Sequence, residues 1–409
     1  MRSRFLLLTI AALAILAPTA AAQDRAGLQS TEMISRSIDG GVPNGASVNP
    51  AISNDRRFAR LIAFESDATN LVPNDVNGQR DVFLVDRGGS FGNNGSPWTI
   101  GNTTLLSHAA DGGPANGPSS GAAIDGSFAG TRGGTEVSKP SCVAFVSAAS
   151  NLVAGDGNGV PDAFVSRGPG GALEKVSAGG GGVTQVAVSG DCSRIAYVEG
   201  GRLMVNAGGK SVDLGPGDDP SFAVGQTNDL VFGGPAGVKL STDGTGPAKT
   251  VVPDGRNPSY NDVKCRVVAY EKGDQIAYRK LGGDASCRVP DGEQIASRRG
   301  GALGNGPSRN PIVGNSGFYV LFTSEATNLG VNALGREGDT NGRPDVYLYT
   351  ESRKITLVQS VQQKAVPLPG GGENGAMSFY ANYVLFDSPA PLGSADGAHQ
   401  IFMRYLGPV

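Results

Sequence analysis

The sequence is poor in histidine, tryptophan, cysteine and charge. Only two of its 409 residues are histidine, His108 and His399. Two histidines form no zinc-binding pattern, and a Ser-His-Asp site would need one of them beside a nucleophile, which no motif indicates. Charged residues make up 17% of the chain and the net charge is −3, so a nucleic-acid surface is not indicated. After the N-terminal region no run is apolar enough to span a membrane.

The first 22 residues have the order of a secretory signal peptide. Arg2 and Arg4 precede an apolar run from Phe5 to Leu16, and the small-residue stretch APTAAAQ follows. An anchoring helix is the weaker alternative, because the run is shorter than the roughly 20 residues that a bilayer span needs. We therefore predict cleavage after Ala22 and a soluble mature chain, 23–409, that is secreted or periplasmic.

Glycine and proline are abundant instead. The 63 glycines and 25 prolines argue against long helices and for short strands joined by tight turns. A hydrophobic content of 39% suffices for a packed core, so disorder is the weaker reading. Four cysteines in an exported chain suggest two disulfides, with three pairings open. Cys265 with Cys287, and Cys142 with Cys192, would each link neighbours in the repeat described next; buried free thiols are the alternative.

A repeat organises the whole chain. Three segments match almost residue for residue: LIAFESDATNLVPNDVNGQRDVFLVD from Leu61, CVAFVSAASNLVAGDGNGVPDAFVSR from Cys142, and YVLFTSEATNLGVNALGREGDTNGRPDVYLYT from Tyr319. Each has an alternating strand-like run, a polar loop and a second alternating run. A shortened copy begins at Tyr383, and weaker copies bring the total to seven; they begin at Arg194, Asp229 and Arg266.

Each copy is preceded by a short run ending at a turn and followed by another strand-like run, which makes four strands per unit. We therefore predict an all-β, seven-bladed β-propeller with four-stranded antiparallel blades. The last unit lacks its fourth strand, and the segment TEMIS at 31–35 supplies it, closing the ring and protecting the sheet edges. The predicted blades span 36–107, 108–177, 178–214, 215–252, 253–299, 300–360, and 361–409 with 31–35.

The block S-x-A-T-N-L-V followed by D-x-N-G-x-x-D-V-F resembles that of exported bacterial propellers with TolB-type, WD-repeat-like blades. The resemblance covers blades 1, 2 and 6 well, blade 7 in part, and blades 3 to 5 only as strand pairs. It implies a propeller fold and a binding or scaffolding role, without implying an enzyme. An N-terminal domain like that of TolB is not visible in the pattern, so TolB's own role is not implied.

The long loops concentrate in blades 6, 7, 1 and 2, which closure makes contiguous. The same blades carry an N-G-x-S-like segment before the first strand, at 44–47, 116–119 and 305–308, and more loosely at 374–378. Loops held by a rigid scaffold commonly carry binding residues. We predict that this half of one face binds a protein, peptide or glycan; the alternative is that the loops only pack on themselves.

Three of these loops place oxygen-bearing side chains around a glycine turn. Such groups suit Ca²⁺, which takes 6 to 8 oxygen ligands in flexible geometry. Each set lacks the further acids of an EF-hand, so backbone carbonyls and water would have to complete it. The alternative is turn chemistry, in which Asp and Asn bond the local backbone. The candidate calcium ligands are Asp75, Asn77, Asp81, Asp156, Asn158, Asp162, Asp339, Asn341 and Asp345.

Catalytic motifs are weak. Two G-x-S-x-G strings surround Ser90 and Ser119, but neither lies between a strand and a helix, as a nucleophile elbow requires. Acids from different blades could still meet at the central channel, so a hydrolase or lyase acting on extracellular polysaccharide or peptide is the alternative. A catalytic propeller should show converging carboxylates in a pocket at the channel mouth. The favoured prediction is a monomeric, non-catalytic binding protein with no cofactor other than a possible Ca²⁺, and no nucleic-acid partner.

Overall fold

Seven four-stranded antiparallel sheets follow one another along the chain. The computed structural model describes residues 31–90, 96–126, 142–168, 171–225, 227–329, 339–352, 354–358, 360–362, 366–392 and 396–407. The predicted signal peptide, 1–22, lies outside the described residues. Two short 3-10 turns interrupt the β structure, at Thr242–Gly244 and Asn315–Gly317.

The strands are numbered in chain order, and β1 is Thr31–Met33. Blades 1 and 2 consist of β2 (Ser47–Ile52), β3 (Leu61–Ser66), β4 (Asp81–Arg87), β5 (Ile100–Leu105), β6 (Ser119–Ile124), β7 (Cys142–Ser147), β8 (Asp162–Arg167) and β9 (Leu173–Lys175). Blades 3 and 4 consist of β10 (Val183–Val188), β11 (Arg194–Glu199), β12 (Arg202–Ala207), β13 (Lys210–Pro216), β14 (Asp218–Phe222), β15 (Leu230–Gly233), β16 (Val238–Ser241) and β17 (Lys249–Val252).

Blade 5 consists of β18 (Arg256–Asn261), β19 (Cys265–Lys272), β20 (Gln275–Gly283) and β21 (Glu293–Ile295). A small hairpin of β22 (Arg298–Arg299) and β23 (Ala302–Leu303) precedes blade 6, which consists of β24 (Ser308–Gly314), β25 (Tyr319–Ser324), β26 (Asp345–Thr350) and β27 (Ile355–Val358). A second hairpin, β28 (Val361–Gln362) and β29 (Val366–Pro367), precedes blade 7, which consists of β30 (Glu373–Met377), β31 (Tyr383–Pro389), β32 (His399–Tyr405) and β1.

The N-terminal strand closes the ring. β1 pairs antiparallel with β32, Thr31 opposite Arg404. Ile34 continues the pairing, because its backbone N–H donates to Ile401 O at 2.7 Å and its side chain is buried. The first strand of every blade contacts the first strands of both neighbouring blades, so these seven strands surround one axis. The predictions of an all-β seven-bladed propeller and of a closing N-terminal strand are confirmed.

The core lies between the blades and is built from the two middle strands of each. Strands β3, β7, β26 and β31 are buried along their whole length, since neighbouring sheets cover both of their faces. In blades 1, 2, 6 and 7 an aromatic ring of the second strand stacks on one of the third, at about 6 Å between centroids. Burying each such side chain contributes about 1.5–3 kcal/mol. The pairs are Phe64–Phe83, Phe145–Phe164, Phe322–Tyr347 and Phe386–Phe402.

All four cysteines are paired in disulfides. Cys142 in the second strand of blade 2 is joined to Cys192, in the turn after the first strand of blade 3, so this bond links neighbouring blades. Cys265 is joined to Cys287 within blade 5, so both of the favoured pairings are present.

The loops between the second and third strands differ sharply in length. They span 67–80, 148–161, 325–344 and 390–398 in blades 1, 2, 6 and 7, but only 200–201, 234–237 and 273–274 in blades 3, 4 and 5. These inner loops lie at the same end of the blades as the leading loops, which run into each first strand. We call this end the loop-rich face. No helix among the described residues is long and apolar enough to cross a membrane.

Candidate functional site

The N-G-x-S segments tie each leading loop to the inner loop of the same blade. In blade 1, Asn44 N donates to Asn70 Oδ1 at 3.0 Å, and Asn44 Oδ1 accepts from Thr69 N at 2.9 Å. Asn116 and Asn305 make the equivalent bonds in blades 2 and 6. These segments therefore fix the shape of the loop-rich face rather than presenting reactive groups.

Small residues are needed in this clamp because the chains approach closely. A Cβ at Gly45 would lie 2.6 Å from the backbone of 67–68. Ser119 is buried and bonds the hydroxyl of Ser147 at 2.8 Å, so this serine of a G-x-S-x-G string is structural. The looser fourth segment does not belong to the clamp, since Asn374 lies in the first strand of blade 7, at the position of Asn49 in blade 1.

The three Asp/Asn loops have one shared skeleton. The Asp that begins the third strand accepts a bond from the serine that follows the fourth strand, and its other oxygen accepts from the asparagine Nδ2. In blade 1, Asp81 Oδ1 is 2.6 Å from Ser107 Oγ, and Asp81 Oδ2 is 2.8 Å from Asn77 Nδ2. The asparagine Oδ1 accepts a backbone N–H two residues on, that of Gln79 in blade 1. The equivalent residues are Asn158, Asp162 and Ser177 in blade 2, and Asn341, Asp345 and Ser360 in blade 6.

The structure brings the candidate ligands of each loop together, but the asparagine oxygens face the turn. The Asx-turn chemistry weighed as the alternative is therefore present in all three loops. The remaining acid of each set, Asp75, Asp156 or Asp339, is also nearly fully buried within its loop. Each loop thus holds two buried carboxylates, one on either side of the glycine turn.

The loops differ in what compensates these charges. In blade 2, Lys175 Nζ lies 3.0 Å from Asp156 Oδ1 and 2.6 Å from Asp162 Oδ2. Burial alone would lower the pKa of Lys175, but its bonds to the two carboxylates raise it. In blade 1, burial and the neighbouring charge of Asp81 raise the pKa of Asp75 to about 6. In blade 6, burial raises the pKa of Asp345 well above its usual range.

Polar side chains also join the blades around the channel mouth on the loop-rich face. An acid of the second strand accepts a bond from a backbone N–H in the first strand of the next blade. The bonds join Gly121 N to Glu65 Oε1 (2.7 Å), Asn310 N to Glu271 Oε1 (2.9 Å), and Asn49 N to Asp387 Oδ2 (3.3 Å). The donors lie in bulges with positive φ, a conformation that asparagine and glycine tolerate best.

A cleft of about 240 Å³ opens between blades 6 and 7, one of the boundaries without this bond among the described residues. Blade 6 has Thr323 at the position of the acid, opposite Arg309, and its buried Oγ1 has no hydrogen-bond partner among the described residues. Threonine is too short to bridge the blades as Glu65 does. Arg309, Glu325 and Glu373 line the cleft, and none of them forms an ion pair with a described residue. The cleft therefore offers one cation, two anions and a free hydroxyl.

Exposed apolar side chains accompany the cleft on the same face. Four large apolar residues among those described are exposed, with exposed fractions of 48–78%. All four lie in leading or inner loops of blades 1 and 6. They are Ile38, Val42, Val76 and Leu303.

Neither histidine hydrogen-bonds a serine, threonine or cysteine side chain among the described residues. His108 Nδ1 is 2.8 Å from Ala109 O, at the edge of a shallow cleft between blades 1 and 2. His399 Nδ1 bonds Asp387 Oδ1 at 2.8 Å, and this carboxylate raises the pKa of His399. Ser90 is exposed at the end opposite the loop-rich face, after the third strand of blade 1.

Sequence reasoning missed the residues at the channel mouth. A signal was available, because Asn or Asp followed by Pro recurs near the start of the first strand in several blades, as at Asn49, Asn257 and Asn310. The acids that bond them are isolated residues in apolar strands, and no spacing relates them to the next blade.

No protein-family model and no curated protein sequence matches the chain. Among solved structures it is similar to TolB from Acinetobacter baumannii, at 13% identity and a TM-score of 0.37, over 61% of this chain and 60% of that one. It is also similar to an oligogalacturonate lyase in complex with manganese, at 9% identity and a TM-score of 0.49, over 94% of this chain and 97% of that one. The match thus spans less than two thirds of the TolB chain. At these identities the similarity concerns the fold only and gives no information about a ligand or a reaction.

Proposed function

We propose that this protein is an exported, non-catalytic propeller that binds a protein, peptide or glycan through the loop-rich face of blades 6, 7, 1 and 2. The cleft between blades 6 and 7 carries the proposal, because its Arg309, Glu325 and Glu373 lack ion-pair partners in the described chain. Charged groups at the centre of a face, beside exposed apolar side chains, suit a ligand that presents both polar and apolar groups.

Export is part of the proposal. Two disulfides form and persist in an oxidising compartment, which agrees with the signal-like N-terminus and with a location in the periplasm or the medium.

The test compares two arginines at the same position of the first strand in different blades. Arg309 lines the cleft, whereas Arg256 is the exposed equivalent in blade 5, on the half with short loops. The mature protein, Arg309→Ala and Arg256→Ala are screened against a displayed peptide library and a glycan array. We expect ligands that bind the wild type and Arg256→Ala but bind Arg309→Ala at least tenfold more weakly. Ligands that bind all three equally, or bind only to blades 3 to 5, would overturn the proposal.

The catalytic alternative has one observation in its favour. Glu325 and Glu373 line the same cleft at the channel mouth, which is where a propeller hydrolase or lyase would place its acids. Polysaccharide or peptide ligands from the screen are incubated with wild type, Glu325→Gln and Glu373→Gln. Cleavage by the wild type that either substitution abolishes, with binding retained, would favour the enzyme; intact ligand throughout favours the binding protein.

A further inference from the structure

The inner loops of blades 1 and 2 act as internal replicates for a question that is independent of the proposed binding function. Their Asp, Asn and Ser residues make the same hydrogen bonds around the glycine turn. A difference between them therefore reflects what one blade has and another lacks, rather than a difference of loop shape.

Blade 2 contains its own cation. Lys175 Nζ lies between Asp156 and Asp162, whose side chains are 4% and 1% exposed, and bonds one oxygen of each. Lys175 lies opposite Phe164 in the pairing of the third and fourth strands. In blade 1 the residue at this register is Leu105, opposite Phe83. Leucine cannot supply a charge.

Blade 1 keeps the two acids without the ammonium. Asp75 and Asp81 are 3% and 0% exposed. Asp75 Oδ1, the counterpart of the oxygen that bonds Lys175 in blade 2, is buried and has no hydrogen-bond partner among the described residues. Leaving a buried charged oxygen unpaired is costly, so a native structure normally provides a partner.

We propose that blade 1 binds a hard divalent cation of the Ca²⁺ class between Asp75 Oδ1 and Asp81 Oδ2, where blade 2 places the Lys175 ammonium. Oxygen ligands in flexible geometry suit Ca²⁺. A cleft of about 370 Å³, lined by Asn74 and Leu105 among others, lies beside the blade 1 loop, and water from it would supply further oxygen ligands. Blade 2 needs no metal, because Lys175 already compensates its two acids. Blade 6 is not included, because Asp339 Oδ1 accepts a bond from Asn341 N at 2.8 Å. The nine candidate ligands thus reduce to two acids, and Asn77 orients Asp81.

The experiment exchanges the residue at the ammonium position. The metal-stripped mature protein is titrated with Ca²⁺ by calorimetry, up to several times the roughly 10⁻⁴–10⁻³ M dissociation constants of extracellular calcium modules. We expect one ion per chain for the wild type, none for Leu105→Lys and two for Lys175→Leu. Thr104→Lys is the matched control, because it adds the same charge to the same strand on the opposite side; it should bind one.

Thermal unfolding in chelator identifies variants that fail to fold. Leu105→Lys should melt at or above the wild-type temperature without calcium, since its ammonium replaces the ion. A wild type that binds no Ca²⁺ in this range would overturn the proposal. A folded Leu105→Lys variant that binds as many Ca²⁺ ions as the wild type, or as Thr104→Lys, would also overturn the proposal.

Discussion

Replacing Asp75 with asparagine should stabilise the calcium-free protein at pH 8 and destabilise the calcium-loaded one. Burial and the charge of Asp81 raise the pKa of Asp75 from 3.8 to about 6 in the folded protein. One pKa unit corresponds to 1.36 kcal/mol, so keeping Asp75 ionised costs the folded state about 3 kcal/mol at pH 8. Asparagine removes this cost, and it loses no bond at the unpartnered Oδ1.

The pH dependence has a definite sign. The pKa is higher in the folded than in the unfolded chain, so the folded state binds the proton more tightly. The cost is absent below about pH 4, grows as the pH rises from about 4 to about 6, and is constant above that. The advantage of Asp75→Asn in chelator should therefore be small at pH 4 and complete by about pH 7.

Urea unfolding can be followed by the fluorescence of Trp98, the single tryptophan, which is buried against blade 1. Asp156→Asn is the matched control: it removes one of the two carboxylates that hold Lys175, so it should destabilise the protein with or without calcium. If Asp75→Asn lowered the free energy of unfolding in chelator at pH 8, or left the pH dependence of that free energy unchanged, the interpretation of Asp75 and Asp81 as an uncompensated acid pair would be refuted.

Three further outcomes are expected. Ile34→Ala should cost about 2–5 kcal/mol in chemical unfolding, since this buried side chain anchors the closing segment; a cost below 1 kcal/mol would show that closure contributes little. Replacing Cys142 and Cys192 with alanine should cost about 4 kcal/mol by the chain-entropy estimate for a separation of 50 residues, whereas reduced and oxidised wild type of equal stability would contradict this. His399→Gln should destabilise at pH 5.5 and little at pH 9, because Asp387 raises the pKa of His399 and its stabilising effect is lost as the pH rises through that raised value; an equal effect at both pH values would argue for packing alone.

Acids at the channel mouth join several neighbouring blades. Glu65, Glu271 and Asp387 each bond the backbone of the next blade and close the gap there. Thr323 leaves one such gap open at the boundary between blades 6 and 7, within the half that carries the long loops. The cleft between blades 6 and 7 thus lies where a threonine takes the place of the bridging acid.

The nine candidate ligands show where sequence reasoning stops. The D-x-N-G-x-x-D spacing correctly brings two acids and an asparagine into one loop, because a glycine turn is a local structure. The spacing predicts the same calcium ligands in all three loops, since the three motifs are alike. Lys175 lies 13 residues beyond Asp162, in another strand, and only the pairing of the third and fourth strands carries it to the carboxylates.

The sequence by itself determined the seven-bladed ring, because a repeated alternation of apolar residues and glycine turns specifies each blade locally and the unmatched TEMIS segment has one place to pair. Tertiary structure alone decided which acids are compensated, how the cysteines pair, and where the ring leaves a cleft. Those outcomes depend on side chains from different strands or blades meeting within about 3 Å. The sequence repeat does not specify which side chains meet at such positions.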